Sequence, residues 1–145
     1  MTPSEKKKVL FVCLGNSCRS QMAEAFARTY GSDVIIPASA GLTPAATVAA
    51  DTARAMEEKN ISLREHFPKH LRQMGRAHFD LIVNMSGTDL KNPPGDRVIA
   101  WDVVDPIRIS YQMHCEVRDD IERLVMNLVL DLRRGTLPTN GSQTY

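Results

Sequence analysis

The stretch "KVLFVCLGNSCRSQMAEAFARTYG", residues 8–31, decides the fold. Its first part, Lys8–Cys13, is an apolar, β-branched run without alternation of polar and apolar residues, which is typical of a strand buried on both faces. A short loop that contains Gly15 follows. Apolar residues then recur at every fourth position, as on one face of a helix: Met22, Phe26 and Tyr30. A strand, a glycine-containing loop and a helix in this order open an α/β fold.

The ends of this helix carry their own signals, because Ser20 is a suitable N-cap residue and Gly31 a suitable stop. Strands and helices continue to alternate after it. Further strands are predicted over 33–41, 79–85 and 97–101, helices over 46–60 and 113–133, and a short helix or a loop over 69–77. This order predicts a single α/β domain over 1–145, built on a four-stranded parallel sheet with helices on both faces. The ends, 1–7 and 135–145, are expected to be flexible.

The composition is that of an ordinary soluble protein, with 145 residues, 43% hydrophobic, 24% charged and a net charge of +1. A balanced charge predicts no binding to nucleic acid or to a membrane surface. The basic run Lys6–Lys8 is either a short basic arm or, as we expect, the solvated approach to the first strand. No oligomer signal stands out, and we expect a monomer. Neither a membrane-length apolar stretch nor a signal peptide is visible, which predicts a cytoplasmic protein.

The three cysteines do not suggest a structural role in common. An odd number without a secretion signal argues against a disulfide framework. Cys13 and Cys18 lack the spacing of a zinc pair, and Cys115 has only His114 beside it, so no metal and no cofactor are predicted. Cys115 is expected to be a packed helix residue. Cys13 is then either an inert residue at a strand end or a nucleophile.

The position of the Cys13 loop favours the nucleophile. A loop between a strand and a helix N-terminus can turn its backbone N–H groups inward and form an anion-binding nest. Arg19, six residues after Cys13, can bind two oxygens of a tetrahedral oxyanion. Such surroundings stabilise a thiolate, and Ser20 is placed to donate a hydrogen bond to it. The loop lacks the Gly-Lys-Ser/Thr ending of a nucleotide-binding loop.

A nucleophile needs a proton donor for its leaving group, and Asp105 of the Asp105-Pro106 pair is the best candidate. It follows the fourth predicted strand, and the carboxyl ends of parallel strands lie at one edge of the sheet. Proline disfavours helix at the residue before it, which keeps this loop extended. The alternative is that Asp-Pro only starts a turn.

Taken together, these residues resemble the low-molecular-weight protein tyrosine phosphatase family, which also contains the thioredoxin-linked arsenate reductases. The resemblance covers nearly the whole chain in order. The most specific segment is "VLFVCLGNSCRSQMAEAF", and the supporting ones are "ASAGL", "ISLREHFPKHL", "FDLIVNM" and "WDVVDP". The resemblance implies the strand order 2-1-3-4, with the Cys13 loop at the centre of the sheet edge.

The resemblance also implies roles for individual residues. Cys13 would attack phosphorus, Arg19 would bind its oxygens, and Asp105 would act as general acid and then as base. The substrate-binding loop would comprise Leu14, Gly15, Asn16, Ser17, Cys18 and Ser20. Cys18 would form a reversible disulfide with Cys13. Ser39 and His66 would support the loop, and the alternative for His66 is a surface histidine.

Two departures from the family pattern bear on the substrate. Phosphatases of this family usually have an aromatic residue after Asp-Pro, but Ile107 stands here, and Leu42-Thr43-Pro44 supplies no aromatic either. Trp101 or Tyr111 would have to replace them, although Trp101 is better explained as a core residue at a strand end. The arsenate reductases carry a resolving cysteine pair after the third strand, and "NMSGTDLKNPPG" contains none.

The sequence therefore favours a metal-independent phosphomonoesterase that acts on phosphotyrosine proteins or aryl phosphates through a phosphocysteine. The alternative is an arsenate reductase that uses the same loop with a small thiol or glutaredoxin as reductant. A third hypothesis is a weakly catalytic anion-binding module, against which the Cys13, Arg19 and Asp105 set argues.

Overall fold

The computed structural model describes residues 5–138, and four parallel strands form its centre. They are β1 (Lys7–Cys13), β2 (Ile35–Gly41), β3 (Leu81–Asn84) and β4 (Val98–Ala100). The order β2-β1-β3-β4 confirms the predicted 2-1-3-4. The register pairs Cys13 with Gly41, and it aligns the ends of β1, β3 and β4. All four strands thus end at one edge of the sheet, and the Cys13 loop leaves from the middle of that edge.

Helix α1 (Arg19–Tyr30) follows the loop directly. The prediction that Ser20 caps this helix is wrong: Cys18 is the N-cap residue and gives no side-chain hydrogen bond. The Ser20 hydroxyl is turned to the thiol of Cys13 instead. Gly31 ends the helix as predicted, but at a φ of −131°, which other residues also adopt. Glycine fits there because a Cβ would lie 2.6 Å from Cγ2 of Val129 on the last helix.

Helix α2 (Ala50–Glu57) begins four residues later than predicted and ends three residues earlier. Its late start has a clear cause, because residues 42–49 form hydrogen bonds to the Cys13 loop and are not free to be helical. Residues 69–77 contain a short 3-10 helix over Leu71–Met74. Helix α3 (Tyr111–Arg133) begins two residues before the predicted start and is capped by the Ser110 hydroxyl, which accepts from the Met113 amide.

The three α helices contribute to one apolar cluster with one face of the sheet. Phe11 of β1 and Phe26 of α1 are fully buried in it, together with Met56 of α2 and Leu128 of α3. The opposite face of the sheet has a smaller cluster, which is completed by residues of the 3-10 helix and nearby loops. That face is therefore covered by a short 3-10 helix and loops rather than by an α helix.

Parts of the predicted flexible ends, 1–4 and 139–145, lie outside the described residues, and Lys7 belongs to β1. No helix within residues 5–138 is both long and apolar enough to cross a bilayer.

Candidate functional site

The loop after Cys13 is held from outside by the segment that follows β2. Carbonyl oxygens of the loop accept hydrogen bonds of 2.8–3.2 Å from amides of residues 42–49: Cys13 from Leu42, Leu14 from Thr43, Gly15 from Ala45 and Ser17 from Ala49. Within residues 5–138, the amides of residues 14–18 donate to no backbone carbonyl. Because the loop carbonyls accept hydrogen bonds from the surrounding segment, the N–H groups of the loop are available to an anion, as in an anion-binding nest.

The thiol of Cys13 lies at the floor of this loop and is 2% exposed. Its Sγ is 2.9 Å from the hydroxyl of Ser20, which in turn accepts a 2.7 Å hydrogen bond from Nδ2 of the Asn16 side chain. Because Nδ2 of Asn16 donates to this hydroxyl oxygen, the hydroxyl proton is free to point at the sulfur. The Ser20 hydroxyl is therefore oriented to donate to a Cys13 thiolate.

Asn16 sets the shape of the loop with a φ of 48°, a left-handed conformation that asparagine tolerates better than most residues. Its side-chain oxygen accepts from the Lys69 amide at 2.9 Å and from Gln21 Nε2 at 3.1 Å. Gln21 also donates to the carbonyls of Asn16 and Phe67, both at 3.0 Å. Gln21 is fully buried and fixes the loop from behind. The sequence analysis did not single it out.

His66 contacts the loop only through Gln21, since its Nδ1 lies 2.8 Å from Gln21 Oε1. Burial lowers the pKa of His66, and the nearby cations Arg28 and Lys69 act in the same direction. A neutral imidazole whose Nδ1 donates to the amide oxygen fits this contact. Ser39 makes a separate hydrogen bond: its hydroxyl donates to the carboxylate of Glu24 on α1 at 2.5 Å.

Arg19 is held at the edge of the loop by two backbone carbonyls. Its Nη1 donates to Met85, just after β3, at 2.6 Å and to Val103, after β4, at 3.1 Å. The guanidinium is nearly buried, and its Nη2 lies 3.6 Å from Oδ2 of Asp105. The side chain thus has one nitrogen anchored and one directed at the cavity, where an oxyanion would bind.

Asp105 stands at the mouth with its side chain 43% exposed. Its Oδ1 accepts from the Ile107 amide at 3.1 Å, which holds the Asp-Pro loop in a turn. The structure therefore brings Cys13, Arg19 and Asp105 together around one cavity of about 270 Å³. Its other lining residues are loop residues and small or aliphatic ones at the rim: Leu14, Gly15, Ser17, Cys18, Thr43, Ala45 and Ile107.

No aromatic side chain is among the residues that line this cavity in the described part of the chain. Trp101 is a core residue at the end of β4, as predicted: it is 3% exposed, and its ring packs 6.0 Å from that of Phe11. Tyr111 is engaged elsewhere, with its hydroxyl on Glu58 and the Arg54 guanidinium 3.8 Å above its ring. The described residues thus provide no aromatic platform at the mouth to hold a phosphotyrosine ring.

Cys18 is the last residue of the loop and the N-cap of α1, and it is buried with a free thiol like Cys13. Burial raises the pKa of Cys18 to about 12, although a hydrogen bond from Thr52 partly opposes this. The sulfur is 3.9 Å from Nδ1 of His114, a buried residue of α3 that the sequence analysis did not assign to the site. Cys115, the residue after His114 on α3, has its thiol 3.6 Å from the carboxylate of Glu58, the C-cap residue of α2. Within residues 5–138, no three potential ligands are grouped as a metal site requires.

Comparisons with known proteins agree with this geometry. The family model described as low molecular weight phosphotyrosine protein phosphatase matches residues 8–137. Among curated proteins, a glutaredoxin arsenate reductase of Synechocystis is 32% identical over 127 residues, covering 85% of this chain and 96% of the relative. Arsenate reductase 1 of Bacillus cereus is 33% identical, covering 80% and 89%.

Solved structures give the same picture. An arsenate reductase in the phosphate-binding state has a TM-score of 0.78 and 32% identity, covering 87% of this chain and 98% of that one. A mutant of the arginine phosphatase YwlE, with a phosphorylated active-site serine, has a TM-score of 0.75 and 26% identity, covering 88% and 96%. The same fold thus appears in relatives named for two different reactions.

Proposed function

The chain belongs to the low molecular weight phosphotyrosine protein phosphatase family, and within it we propose that the protein is an arsenate reductase that draws electrons from an external thiol. The curated relatives support this substrate, since those at 32% and 33% identity are both named arsenate reductases. The sequence analysis ranked this activity second, behind phosphomonoester hydrolysis.

The observation that carries the proposal is the size and lining of the cavity above Cys13. A volume of about 270 Å³ with loop amides, Arg19 and Asp105 around it suits a small tetrahedral oxyanion. The rim, made by small and aliphatic side chains, gives an aromatic leaving group nothing to stack on. Arsenate and phosphate share charge and shape, so the same loop would bind either.

The reaction begins when the Cys13 thiolate attacks arsenic. A sulfur–arsenic bond forms, and one arsenate oxygen leaves as water after Asp105 supplies a proton. An external thiolate then attacks Cys13 Sγ, and the electron pair of the sulfur–arsenic bond stays on arsenic, which leaves as arsenite. A second thiol releases Cys13 from the mixed disulfide. Two thiols are thereby oxidised to one disulfide for each arsenate reduced.

The electrons must come from outside, because the sequence contains no cysteine between Cys18 and Cys115 and therefore no resolving pair after β3. A small thiol or glutaredoxin fits this requirement. The cytoplasm, where such thiols are kept reduced, is the compartment that we propose for the enzyme. We also propose that it acts as a monomer, since Cys13, Arg19 and Asp105 of the same chain meet around one cavity.

The test is a parallel assay of arsenate reduction and aryl phosphate hydrolysis on the same preparation. Thioredoxin, glutaredoxin and a small thiol are supplied in turn for the reduction. We expect thiol-dependent arsenite formation that Cys13→Ser abolishes. Cys115→Ser is the matched control, because Cys115 lies away from the cavity, and it should keep the activity. Absence of arsenite with every reductant would overturn the proposal.

Phosphomonoester hydrolysis is the second candidate, and Asp105 favours it. A carboxyl beside Arg19 at the mouth is placed to protonate a departing alkoxide or phenoxide and then to activate water. A phosphotyrosine protein or a small aryl phosphate would be the substrate. Metal-independent hydrolysis in the parallel assay, without arsenite formation, would assign this activity. Phosphate binding without either turnover would leave only an anion-binding module.

A further inference from the structure

His114 is a buried titratable residue to which the proposed reaction assigns no task. It lies near the start of α3, is 3% exposed, and faces the back of the Cys13 loop. Its Nδ1 is 3.9 Å from Cys18 Sγ and 3.3 Å from the Thr52 hydroxyl of α2. The Thr52 hydroxyl also bonds to the Cys18 thiol. Imidazole, hydroxyl and thiol therefore form one buried group, behind the nucleophile.

The pKa shifts of this group leave both the thiol and the imidazole uncharged at neutral pH. Burial lowers the pKa of His114, while the carboxylates of Asp51 on α2 and Asp105 after β4 raise it to a smaller extent. The imidazole is thus unprotonated at neutral pH and can accept a proton. Burial keeps Cys18 as a thiol, the poorly nucleophilic form. A base next to this thiol is the group that would make it reactive.

We propose that His114 is the proton acceptor that converts Cys18 into a nucleophile toward a Cys13 sulfur carrying an oxidised group. The family resemblance implies a reversible disulfide between the two cysteines, and the structure adds the base that drives its formation. This inference rests on the proposed function, because Cys13 must first be the sulfur that reacts. In the arsenate reaction, Cys18 then replaces the external thiolate in the attack on Cys13 Sγ, and the external thiols reduce the disulfide that results.

The chemical step is the same for two leaving groups. His114 Nδ1 accepts the Cys18 proton as the Cys18 sulfur attacks Cys13 Sγ. When Cys13 carries arsenic, the sulfur–arsenic bond breaks and its electron pair leaves with arsenite. When hydrogen peroxide has oxidised Cys13 to a sulfenic acid, the sulfur–oxygen bond breaks, and the proton held by His114 converts the departing hydroxide to water. Each case yields a Cys13–Cys18 disulfide, which two external thiols then reduce, becoming one disulfide themselves.

Stoichiometric hydrogen peroxide provides a test that needs no arsenate. After oxidation of the reduced protein, intact-mass measurement and peptide mapping separate the Cys13–Cys18 disulfide from Cys13 sulfinic acid. For His114→Gln we expect disulfide formation about 10²-fold slower near pH 7, with sulfinic acid accumulating in its place. His78→Gln, an exposed histidine paired with Asp96, is the matched control and should behave as wild type. Cys18→Ser defines the outcome without any resolving thiol.

The pH profile separates a base from a merely structural histidine. In wild type, the rate of disulfide closure should level off above the titration of His114. In His114→Gln it should keep rising by about tenfold for each pH unit, because it then depends on spontaneous ionisation of Cys18. The groups that face His114 are Cys18 and Thr52, Asp51 on α2 and Asp105. Asp51→Asn removes one of these carboxylates. It should move the pH at which the rate levels off when His114 is present, and it should leave the profile of His114→Gln unchanged.

Unchanged affinity for inorganic phosphate in His114→Gln will show that the loop is intact. If His114→Gln fails to fold, His114→Asn takes its place in the same measurements. Equal closure rates in wild type and a folded variant would overturn the inference. A failed arsenate assay with intact peroxide closure would refute the proposed function and leave the role of His114 standing.

Discussion

Arg19 and Asp105 face each other across the mouth of the cavity, with 3.6 Å between Nη2 and Oδ2. The two partners differ in how firmly they are held. Arg19 is nearly buried and donates to two backbone carbonyls, whereas Asp105 is partly exposed. An ion pair with a long contact and one partner this exposed stabilises a protein little. Its significance is positional: an oxyanion that binds Nη2 takes over the contact and leaves the Asp105 carboxyl beside the leaving group.

Asp105→Asn should therefore separate turnover from binding. We expect turnover of arsenate or aryl phosphate to fall by about 10²–10⁴-fold, the usual contribution of general acid–base catalysis. Affinity for inorganic phosphate should hold or increase, because the variant lacks a carboxylate that competes for Arg19. Steady-state kinetics and phosphate inhibition measure both quantities. Asp102→Asn, an exposed carboxylate three residues earlier, should change neither. A loss of phosphate affinity with unchanged turnover would exclude the acid role.

Substitution of Gly41, at the end of β2, tests whether the position of the Cys13 loop sets the activity. A Cβ there would meet the Leu14 carbonyl oxygen at 2.8 Å and the Asn16 amide nitrogen at 2.9 Å, both backbone atoms. Gly41→Ala should thus displace the loop, destabilise the protein by about 1–3 kcal/mol and lower turnover on the order of 10²-fold.

Gly31→Ala is the matched control for this displacement. It also creates a clash, 2.6 Å from Cγ2 of Val129, but at the far end of α1. We expect a comparable loss of stability in urea unfolding with near-normal turnover of the folded fraction. Equal loss of turnover in the two variants would mean that global destabilisation, not loop position, sets the activity.

Local sequence patterns predicted the strand and loop order well, and their limits have physical causes. The unalternating run before Cys13 marks a strand buried on both faces, and the order of elements brings Arg19 and Asp105 to one edge. The late start of α2 was not predictable, because backbone amides within residues 42–49 donate to carbonyls of a loop distant in sequence instead of forming helical hydrogen bonds. Intrinsic helix preference is readily overridden by such tertiary contacts.

The side chains behind the loop escaped prediction for the same reason. Gln21 lies on a helix, yet its partners are Asn16 in the loop and Phe67 and His66 in a distant segment. His114 meets Cys18 across 96 positions of sequence. No periodicity or spacing reports such contacts. Ser20 fits both a helix cap and a thiolate partner by residue type, and only the geometry distinguishes the two.

Gln21→Leu tests whether this hidden support matters for the site. Leucine fills similar space but leaves the carbonyls of Asn16 and Phe67 without their side-chain donor, at a cost of about 1–3 kcal/mol. Because Asn16 would also be less restrained in its left-handed conformation, phosphate affinity should fall along with stability. Gln112→Leu on the exposed surface of α3 is the control, expected within about 0.5 kcal/mol of wild type. Unchanged stability and affinity in Gln21→Leu would show that the network is dispensable.

His66 gives the site a dependence on pH that can be measured by unfolding. Burial lowers its pKa in the folded protein below the unfolded value of about 6.5. The unfolded chain therefore binds the proton more readily, so the stability that neutral His66 contributes is present above about pH 6.5 and is lost as pH falls through the folded pKa. Urea unfolding of wild type and His66→Asn at about pH 7.5 and pH 5 isolates this effect, because His114 and the carboxylates are common to both proteins. The stability advantage of wild type should shrink at the lower pH. An advantage that stays constant or grows would refute the role of a neutral, half-buried His66.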